Sequence, residues 1–160
     1  STLSSTGLFR ESPMPRQTQH ARLEAFLKPS LIAVAATVGT NGMPQVTPVW
    51  YDYRDGAMLI SVTKERLKYK NLVRGPRLSV CVYRPPLAKV FVTMTGRTEL
   101  SDDDSIWEST RRICERYMSA YEVEPWMRML KGENRVFITL RPKRVMFKDL
   151  DAILPAGPGG

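Results

Sequence analysis

Residues 39–63, GTNGMPQVTPVWYDYRDGAMLISVT, decide the fold. An Asn-Gly pair at 41–42 and an Asp-Gly pair at 55–56 are strong short-range signals for tight hairpin turns. The segments around these turns are compatible with β-strands, at 31–38, 45–53 and 57–63. The stretch therefore predicts three consecutive antiparallel strands that pair in chain order as a meander.

Two prolines interrupt the second of these predicted strands. Pro44 and Pro48 each lack the backbone N–H that a central strand would donate. We expect this strand at an open edge of the sheet, where its remaining backbone groups can face a ligand; a plain edge strand protected by proline is the alternative. Trp50, Tyr51 and Tyr53 offer flat surfaces there, which suit a ligand, the core or a second copy of the chain equally well.

The rest of the chain continues the β-rich pattern. Alternating or apolar segments predict strands at 78–83, 90–100 and 134–148, with a bulge or bend at Gly96 and the last segment either one strand or a hairpin. Helical spacing and end signals predict helices at 18–28, 64–74, 101–120 and 125–130, the second of them capped by Thr63. Strands joined by hairpins, with helices at the periphery, favour an antiparallel barrel over a parallel α/β sheet.

Length and composition indicate one globular domain. The chain has 160 residues, of which 42% are hydrophobic and 25% charged. We expect the domain at 18–150, between a flexible arm at 1–17 and a flexible tail at 151–160.

No apolar run approaches the ~20 residues needed to cross a bilayer. Residues 1–19 lack the apolar core of a signal peptide, so we expect a cytoplasmic protein with no membrane partner.

The scarcity of histidine and cysteine excludes several classes of site. His20, which we expect to face solvent, is the one histidine, and Cys81 and Cys114 are the two cysteines. A zinc site needs about four N or S ligands, so no metal is expected, and both thiols are expected to be reduced and partly buried. Neither a G-x-G-x-x-G motif nor a P-loop occurs, so dinucleotide-binding and nucleoside-triphosphatase folds lack their motif.

The positive charge is concentrated in one segment. The formal net charge is +8, and residues 64–77 hold five of those charges, with six cationic side chains and one acid. A basic helix that directly follows a strand combines its free N–H groups with cationic side chains, which suits a phosphate. A solvent-exposed basic helix face is the alternative. Nucleic acid is not expected as a partner, because no recognition-helix or RNP-type pattern accompanies the charge.

Three strings in this order carry a family resemblance: GTNGMPQVTPVW at 39–50, LIS at 59–61 and RLKYKNLVRGPR at 66–77. Together they resemble the split β-barrel flavin and deazaflavin oxidoreductases, the superfamily that includes pyridoxamine 5′-phosphate oxidase. The likeness is strongest to the branch that depends on the deazaflavin coenzyme F420, and it spans about 31–100 with a weaker echo at 136–147. It implies a mainly β fold with peripheral helices, the FMN-binding split barrel.

The resemblance also implies a cofactor site. The tricyclic ring would lie against the second and third predicted strands, near Thr47, Pro48, Val49, Ser61 and Val62. The phosphate would be held by Arg66 and Lys68, assisted by Thr63 and Asn71. The family forms homodimers with two cofactor sites at the subunit interface, where the second copy would bring Phe91 or residues 126–128 over the ring.

The activity implied is transfer of a hydride from reduced F420 to a small unsaturated or carbonyl-conjugated substrate. The alternatives are an FMN-dependent enzyme of the same fold and a non-catalytic cofactor- or haem-binding protein. No catalytic residue is assigned, because Tyr51, Tyr53, solvent and the cofactor itself are all candidates for the proton donor. Residues 149–155, DLDAILP, lack the C-terminal Arg-Leu-x-Pro type of element of pyridoxamine phosphate oxidase itself, so vitamin B6 oxidation is not implied.

Overall fold

A computed structural model describes residues 15–150, 152–153 and 157 of the chain. Most of the predicted arm and tail therefore lies outside the described residues. The elements are α1 (Arg16–Leu27), β1 (Ala33–Val38), β2 (Pro44–Val49), β3 (Asp52–Arg54), β4 (Ala57–Thr63), α2 (Leu67–Arg74), β5 (Arg77–Tyr83), β6 (Val90–Ser101), α3 (Ile106–Tyr117), α4 (Ala120–Lys131) and β7 (Arg135–Asp149). This is the predicted mainly β architecture with peripheral helices.

The strands form one antiparallel sheet in the order β2-β1-β5-β6-β7-β4-β3. Both predicted hairpins are present, β1 with β2 and β3 with β4. Asp55 and Gly56 adopt the positive φ angles, 51° and 75°, that a tight Asp-Gly hairpin turn requires. The predicted meander is wrong, however, because the two hairpins lie at opposite ends of the sheet. As predicted, the proline-containing strand β2 is an edge strand.

Tyr51 separates the two hairpins. Its ring is fully buried, and its hydroxyl donates to the carbonyl of Leu27 at 3.0 Å. Its backbone N–H donates to the hydroxyl of Tyr117 at 3.3 Å, not to a neighbouring strand. Strand pairing therefore stops at this residue, so the segment predicted as one strand at 45–53 is split into β2 and β3.

The core fills the concave side of the sheet. Side chains alternate between the two faces of a strand, so every second residue points inward. These inward residues form one cluster with the buried face of α1. The cluster includes Leu23, Phe26, Leu27, Met58, Ile60, Val62, Leu78, Val80, Val82, Val90, Val92, Met94, Ile138 and Leu140. On the convex side, Ile106 and Ile113 of α3 pack on Phe137 of β7. The helices thus cover the β4 and β7 end of the outer surface.

The ends of α1 and α3 are joined by one side chain. The guanidinium of Arg116 donates to the carbonyls of Leu27, Lys28 and Pro29 at 3.0–3.2 Å. These carbonyls end α1 and have no intrahelical partner, so a cation is the natural donor to them. The adjacent Tyr117 hydroxyl donates to the carbonyl of Leu31 at 2.6 Å.

All four helices begin at residues other than those predicted, and α1 starts at Arg16 and α3 at Ile106 rather than at 18 and 101. The backbone N–H of Lys64 donates to Asn134 at 3.0 Å and extends the pairing of β4 with β7, so Thr63 is a strand residue and α2 starts at Leu67. Helix α4 starts at Ala120, not at 125, because Ser119 and Glu122 form a capping box upstream of Pro125. Within the described part of the chain, no helix has the length and apolarity to span a membrane.

Gly96 forms the predicted bulge between β6 and β7. Thr95 pairs with Arg144 and Gly96 with Pro142, so Lys143 is an extra residue in β7. A Cβ atom on Gly96 would lie 2.5 Å from the backbone oxygen of Arg141. The last segment is therefore one bulged strand, and glycine is required where the two backbones approach each other.

We expect Gly96→Ala to lower the free energy of unfolding by about 1–3 kcal/mol, because the new methyl group overlaps backbone that cannot move alone. Urea denaturation measures the change. Gly75→Ala is the matched control, since a Cβ there has no neighbour within 4 Å. Equal stability of the two variants would contradict the assignment of close contact at Gly96.

Candidate functional site

A cavity of about 740 Å³ lies between β2 and β4. Four strands separate β2 from β4 in the sheet order, so the sheet must curl to bring both to one cavity. Among the described residues, β2 pairs with β1 alone, and β3 covers only the Ala57–Leu59 part of β4. The result is a barrel left open along one seam, with unpaired strand edges on both sides of the cavity.

Eight of the nine site residues implied by the resemblance line this cavity. Three lie on β2, three lie on β4, and two lie at the start of α2: Thr47, Pro48, Val49, Ser61, Val62, Thr63, Arg66 and Lys68. The two strands bring their residues together because both border the open seam.

Asn71 is not among the lining residues. It is 2% exposed, its side-chain N–H donates to the hydroxyl of Thr37 at 3.0 Å, and its side-chain oxygen accepts from Arg74 at 2.6 Å. Because both ends of the amide are occupied, Asn71 attaches α2 to β1. In this structure its amide is not directed into the cavity.

Lys68 is the unusual residue of the site. The buried side of α2 carries Lys68, Asn71 and Leu72, whereas Val73 is 59% exposed. Lys68 is only 6% exposed. No acceptor among the described residues forms a hydrogen bond or ion pair with its ammonium group. Burial, with a smaller contribution from the charge of Arg66, lowers the pKa of Lys68. A buried, unpaired cation costs free energy that a bound anion would recover.

The surroundings of Lys68 add positive charge at the same end of the cavity. Arg66 is the N-cap residue of α2 and is exposed. The first N–H groups of the helix, at Leu67 and Lys68, have no intrahelical acceptor. Together with the helix dipole they favour an anion here.

The structure divides the basic segment 64–77. Of its six cations, all within the described residues, Arg66 and Lys68 line the cavity. Lys64 forms an ion pair with Asp102 at 2.8 Å, and Arg74 bonds to Asn71. Only part of the charge that was predicted to mark a site is therefore directed into it.

Two buried polar atoms in the cavity wall lack a partner in the described structure, the hydroxyl of Thr47 and Nε of Arg135. Arg135 also contacts Glu133 at 2.6 Å and the hydroxyl of Ser61 at 3.5 Å. Arg135 was missed by sequence reasoning because it reaches the cavity through its pairing with Thr63, 72 positions earlier in the chain. No local signal in the sequence reveals that pairing.

The other end of the cavity is aromatic and apolar. Trp50 stacks on Tyr117 with ring centroids 4.9 Å apart and planes 4° apart. Ile113 and Cys114 of α3 and Trp126 of α4 complete this wall. Burial raises the pKa of the Cys114 thiol, so it is a neutral, apolar group at pH 7. A ligand with an anionic end and a planar apolar part matches the two ends of the cavity.

That a second copy brings Phe91 or residues 126–128 over the ring stays a prediction. Within one chain, Trp126 lines the cavity and Phe91 of β6 does not. Tyr51 and Tyr53 do not line the cavity either. Burial raises the pKa of both phenols, and the Tyr51 hydroxyl bonds to the end of α1. Neither tyrosine is placed to donate a proton to a ligand there.

Known proteins share this architecture. A conserved hypothetical protein from Mycobacterium tuberculosis superposes with a TM-score of 0.76 at 22% identity, over 96% of this chain and 98% of that one. An F420 reductase gives a TM-score of 0.61 at 23% identity, over 77% of this chain and 94% of that one. A heme binding protein from Mycobacterium smegmatis gives a TM-score of 0.58 at 20% identity, over 84% of this chain and 55% of that one. At these identities the likeness shows the fold.

The family is shown by the sequence itself. Residues 20–149 match the family model described as pyridoxamine 5′-phosphate oxidase. That match includes most of α1 and all seven strands, among them β2 and β4 on the two sides of the seam. The chain therefore belongs to the pyridoxamine 5′-phosphate oxidase family and has its split-barrel fold.

Proposed function

We propose that this protein is a coenzyme F420-dependent oxidoreductase that reduces a small unsaturated or carbonyl-conjugated substrate. The observation that carries the proposal is Lys68, a residue only 6% exposed that lines the cavity beside Arg66 and whose ammonium group has no acceptor among the described residues. A phosphate is the complementary ligand, because it accepts several charge-assisted hydrogen bonds at one point.

The lining residues fit such a cofactor. Arg66, Lys68 and Thr63 would hold its phosphate, and β2 and β4 would hold its ring through Thr47, Pro48, Val49, Ser61 and Val62. The unpartnered hydroxyl of Thr47 is available to a polar atom of the ring system. When bound, the deazaflavin supplies the hydride, as cofactors generally supply the difficult chemistry. The protein orients the ring and, through Trp50 and Trp126, shields one end of the cavity from water.

The choice of deazaflavin over FMN rests on charge. F420 carries a phosphodiester and a polyglutamate tail, and the basic segment continues beyond the cavity with the exposed residues Lys70 and Arg77. An extended cationic surface favours the more anionic cofactor. The presence of an F420 reductase among proteins of this fold is consistent with this choice. The alternatives are an FMN enzyme and a non-catalytic binder, the latter because a heme binding protein also has this fold.

A homodimer is part of the proposal. Val34, Cys81, Thr93 and Met146 lie side by side on the convex face of β1, β5, β6 and β7. They belong to no hydrophobic cluster formed by the described residues. A second copy would cover this face.

A cytoplasmic location is also proposed, since both cysteines are free thiols, which is typical of a reducing compartment.

Cofactor titration distinguishes the proposal from its alternatives. Isothermal titration calorimetry of the purified protein with F420 and, separately, with FMN should show tighter binding of F420. The protein should then catalyse the oxidation of reduced F420 by members of a panel of enones and quinones. Tighter binding of FMN would favour the flavin enzyme, and binding without turnover of any acceptor would favour a non-catalytic binder.

Lys68→Ala and Arg66→Ala should each weaken F420 binding by about 1–3 kcal/mol, because each removes a charge-assisted contact to phosphate. Calorimetry with each variant measures the loss. Lys28→Ala is the control, as an exposed lysine outside the basic segment that does not line the cavity. Unchanged affinity in both cavity variants would exclude phosphate binding at this end.

The dimer is tested by Met146→Glu, which places a charge in the proposed interface. Light scattering after size exclusion should give a dimer for the wild type and a larger monomer fraction for the variant. Tyr121→Glu is the control, because Tyr121 is a large side chain, 80% exposed, on α4 away from this face. A monomeric wild type, or dissociation of both variants alike, would refute this interface.

A further inference from the structure

Arg135 is a third cation in the wall of the cavity. None of the described residues that line the cavity is acidic, and three of them are basic, namely Arg66, Lys68 and Arg135. Arg66 and Lys68 lie at the start of α2, where the proposed cofactor phosphate would bind. Arg135 lies on another element, as the first residue of β7. The proposed function leaves this third charge without a role.

Arg135 lies between the strand that would hold the ring and the apolar wall of the cavity. Its Nη1 is 3.5 Å from the hydroxyl oxygen of Ser61 on β4. Burial raises the pKa of the Cys114 thiol on α3, and the charge of Arg135 opposes that effect. Because the Coulomb interaction falls with distance, the guanidinium must be near this wall. It therefore borders the space between the proposed ring site and the apolar wall.

Glu133 fixes the orientation of this guanidinium. Its carboxylate contacts Nη2 of Arg135 at 2.6 Å. The side chain of Glu133 is 34% exposed and that of Arg135 is 17% exposed, so solvent screens the carboxylate more than the guanidinium. A guanidinium carries five N–H donors, and Nε of Arg135 has no partner in the described structure. Arg135 is therefore an ordered cation that still has hydrogen bonds to donate.

Reduction of a carbonyl-conjugated substrate places negative charge on an oxygen atom. The hydride forms a C–H bond at the carbon β to the carbonyl group, and the electrons of the C=C bond shift toward that group, whose oxygen becomes an enolate. A proton from solvent then forms a C–H bond at the α carbon and restores the C=O bond. The substrate gains the two electrons that the reduced cofactor loses. A cation at this oxygen stabilises the transition state, because the charge is absent from the free substrate.

We infer that Arg135 is a catalytic residue that donates a hydrogen bond to the carbonyl oxygen of the substrate and stabilises the enolate. This inference rests on the proposed function. It specifies the substrate class as enones and related compounds whose acceptor carbon is conjugated to a carbonyl oxygen. The arginine side chain stays protonated throughout, so solvent supplies the proton. This division of roles agrees with the positions of Tyr51 and Tyr53, which do not line the cavity.

Kinetics with reduced F420 and an enone test the inference. Arg135→Gln should lower kcat about 100-fold, the loss expected for one oxyanion donor, and should change the affinity for F420 less than about twofold. Arg135→Lys keeps a positive charge and should restore part of kcat. Arg111→Gln is the matched control, because Arg111 also pairs with a glutamate and also acts on the Cys114 thiol, but does not line the cavity. Circular dichroism confirms that each variant is folded.

A bound phenol gives a readout that requires no turnover. A phenolate is a planar oxyanion like the enolate, and fluorine NMR of a fluorinated phenol distinguishes its neutral form from its ionised form. With oxidised F420 bound, the probe should ionise at a lower pH in the wild type than in Arg135→Gln, because the guanidinium favours the charged form. In Arg111→Gln the probe should ionise at the same pH as in the wild type.

Two results would overturn the inference and leave the proposed function intact. If kcat or the ionisation of the probe is the same in Arg135→Gln as in the wild type, Arg135 does not contact the substrate oxygen. If Arg135→Gln loses as much affinity for F420 as Arg66→Ala does, Arg135 holds the cofactor instead. A wild type that neither binds F420 nor reduces an enone refutes the proposed function, and the inference with it.

Discussion

The open seam between β2 and β4 is the constraint on which the rest of the structure depends. A sheet of this curvature brings its distant strands together, yet they do not pair. Pro44 and Pro48 remove two donors from β2, and Tyr51 directs its own N–H to a side chain. Because the seam does not close, the chain has a cavity bordered by strand edges in place of a continuous barrel wall.

The seam also explains how an uncompensated lysine is tolerated. Lys68 follows the strand that borders the seam, and it lines the open cavity rather than the closed core. In the closed core of a barrel the same ammonium would require an acidic partner. Here the cost of desolvation lowers its pKa and makes the site receptive to anions. The open seam between β2 and β4 therefore accounts both for the cavity and for the position of Lys68 in its wall.

Local signals predicted the local parts of this structure. The Asn-Gly and Asp-Gly turns, the prolines of the edge strand and the bulge at Gly96 each depend on the preferences of one or two residues. The pairing of the strands is not local. Met58 of β4 pairs with Leu140, and this contact, not the preceding hairpin, decides where β4 lies. The predicted meander failed for that reason, although the family resemblance still identified the correct fold.

The same distinction applies to the site. Residues 61–68 were identified because the strand and the helix that follow each other in the sequence also adjoin in space. Arg135 was not, because its position is fixed by pairing with Thr63. Asn71 was named by the family resemblance, which does not show what its side chain contacts in this chain. In this chain the amide of Asn71 meets Thr37.

The bonds of Arg116 and Tyr117 have a consequence for the entropy of binding. Arg116 is held by three carbonyls at the end of α1, and Tyr117, held by Leu31, stacks on Trp50 in the wall of the cavity. Side chains that are already fixed lose little rotamer freedom when a ligand arrives. The aromatic end of the cavity is therefore preorganised, and a flat group that binds there would cost little side-chain entropy.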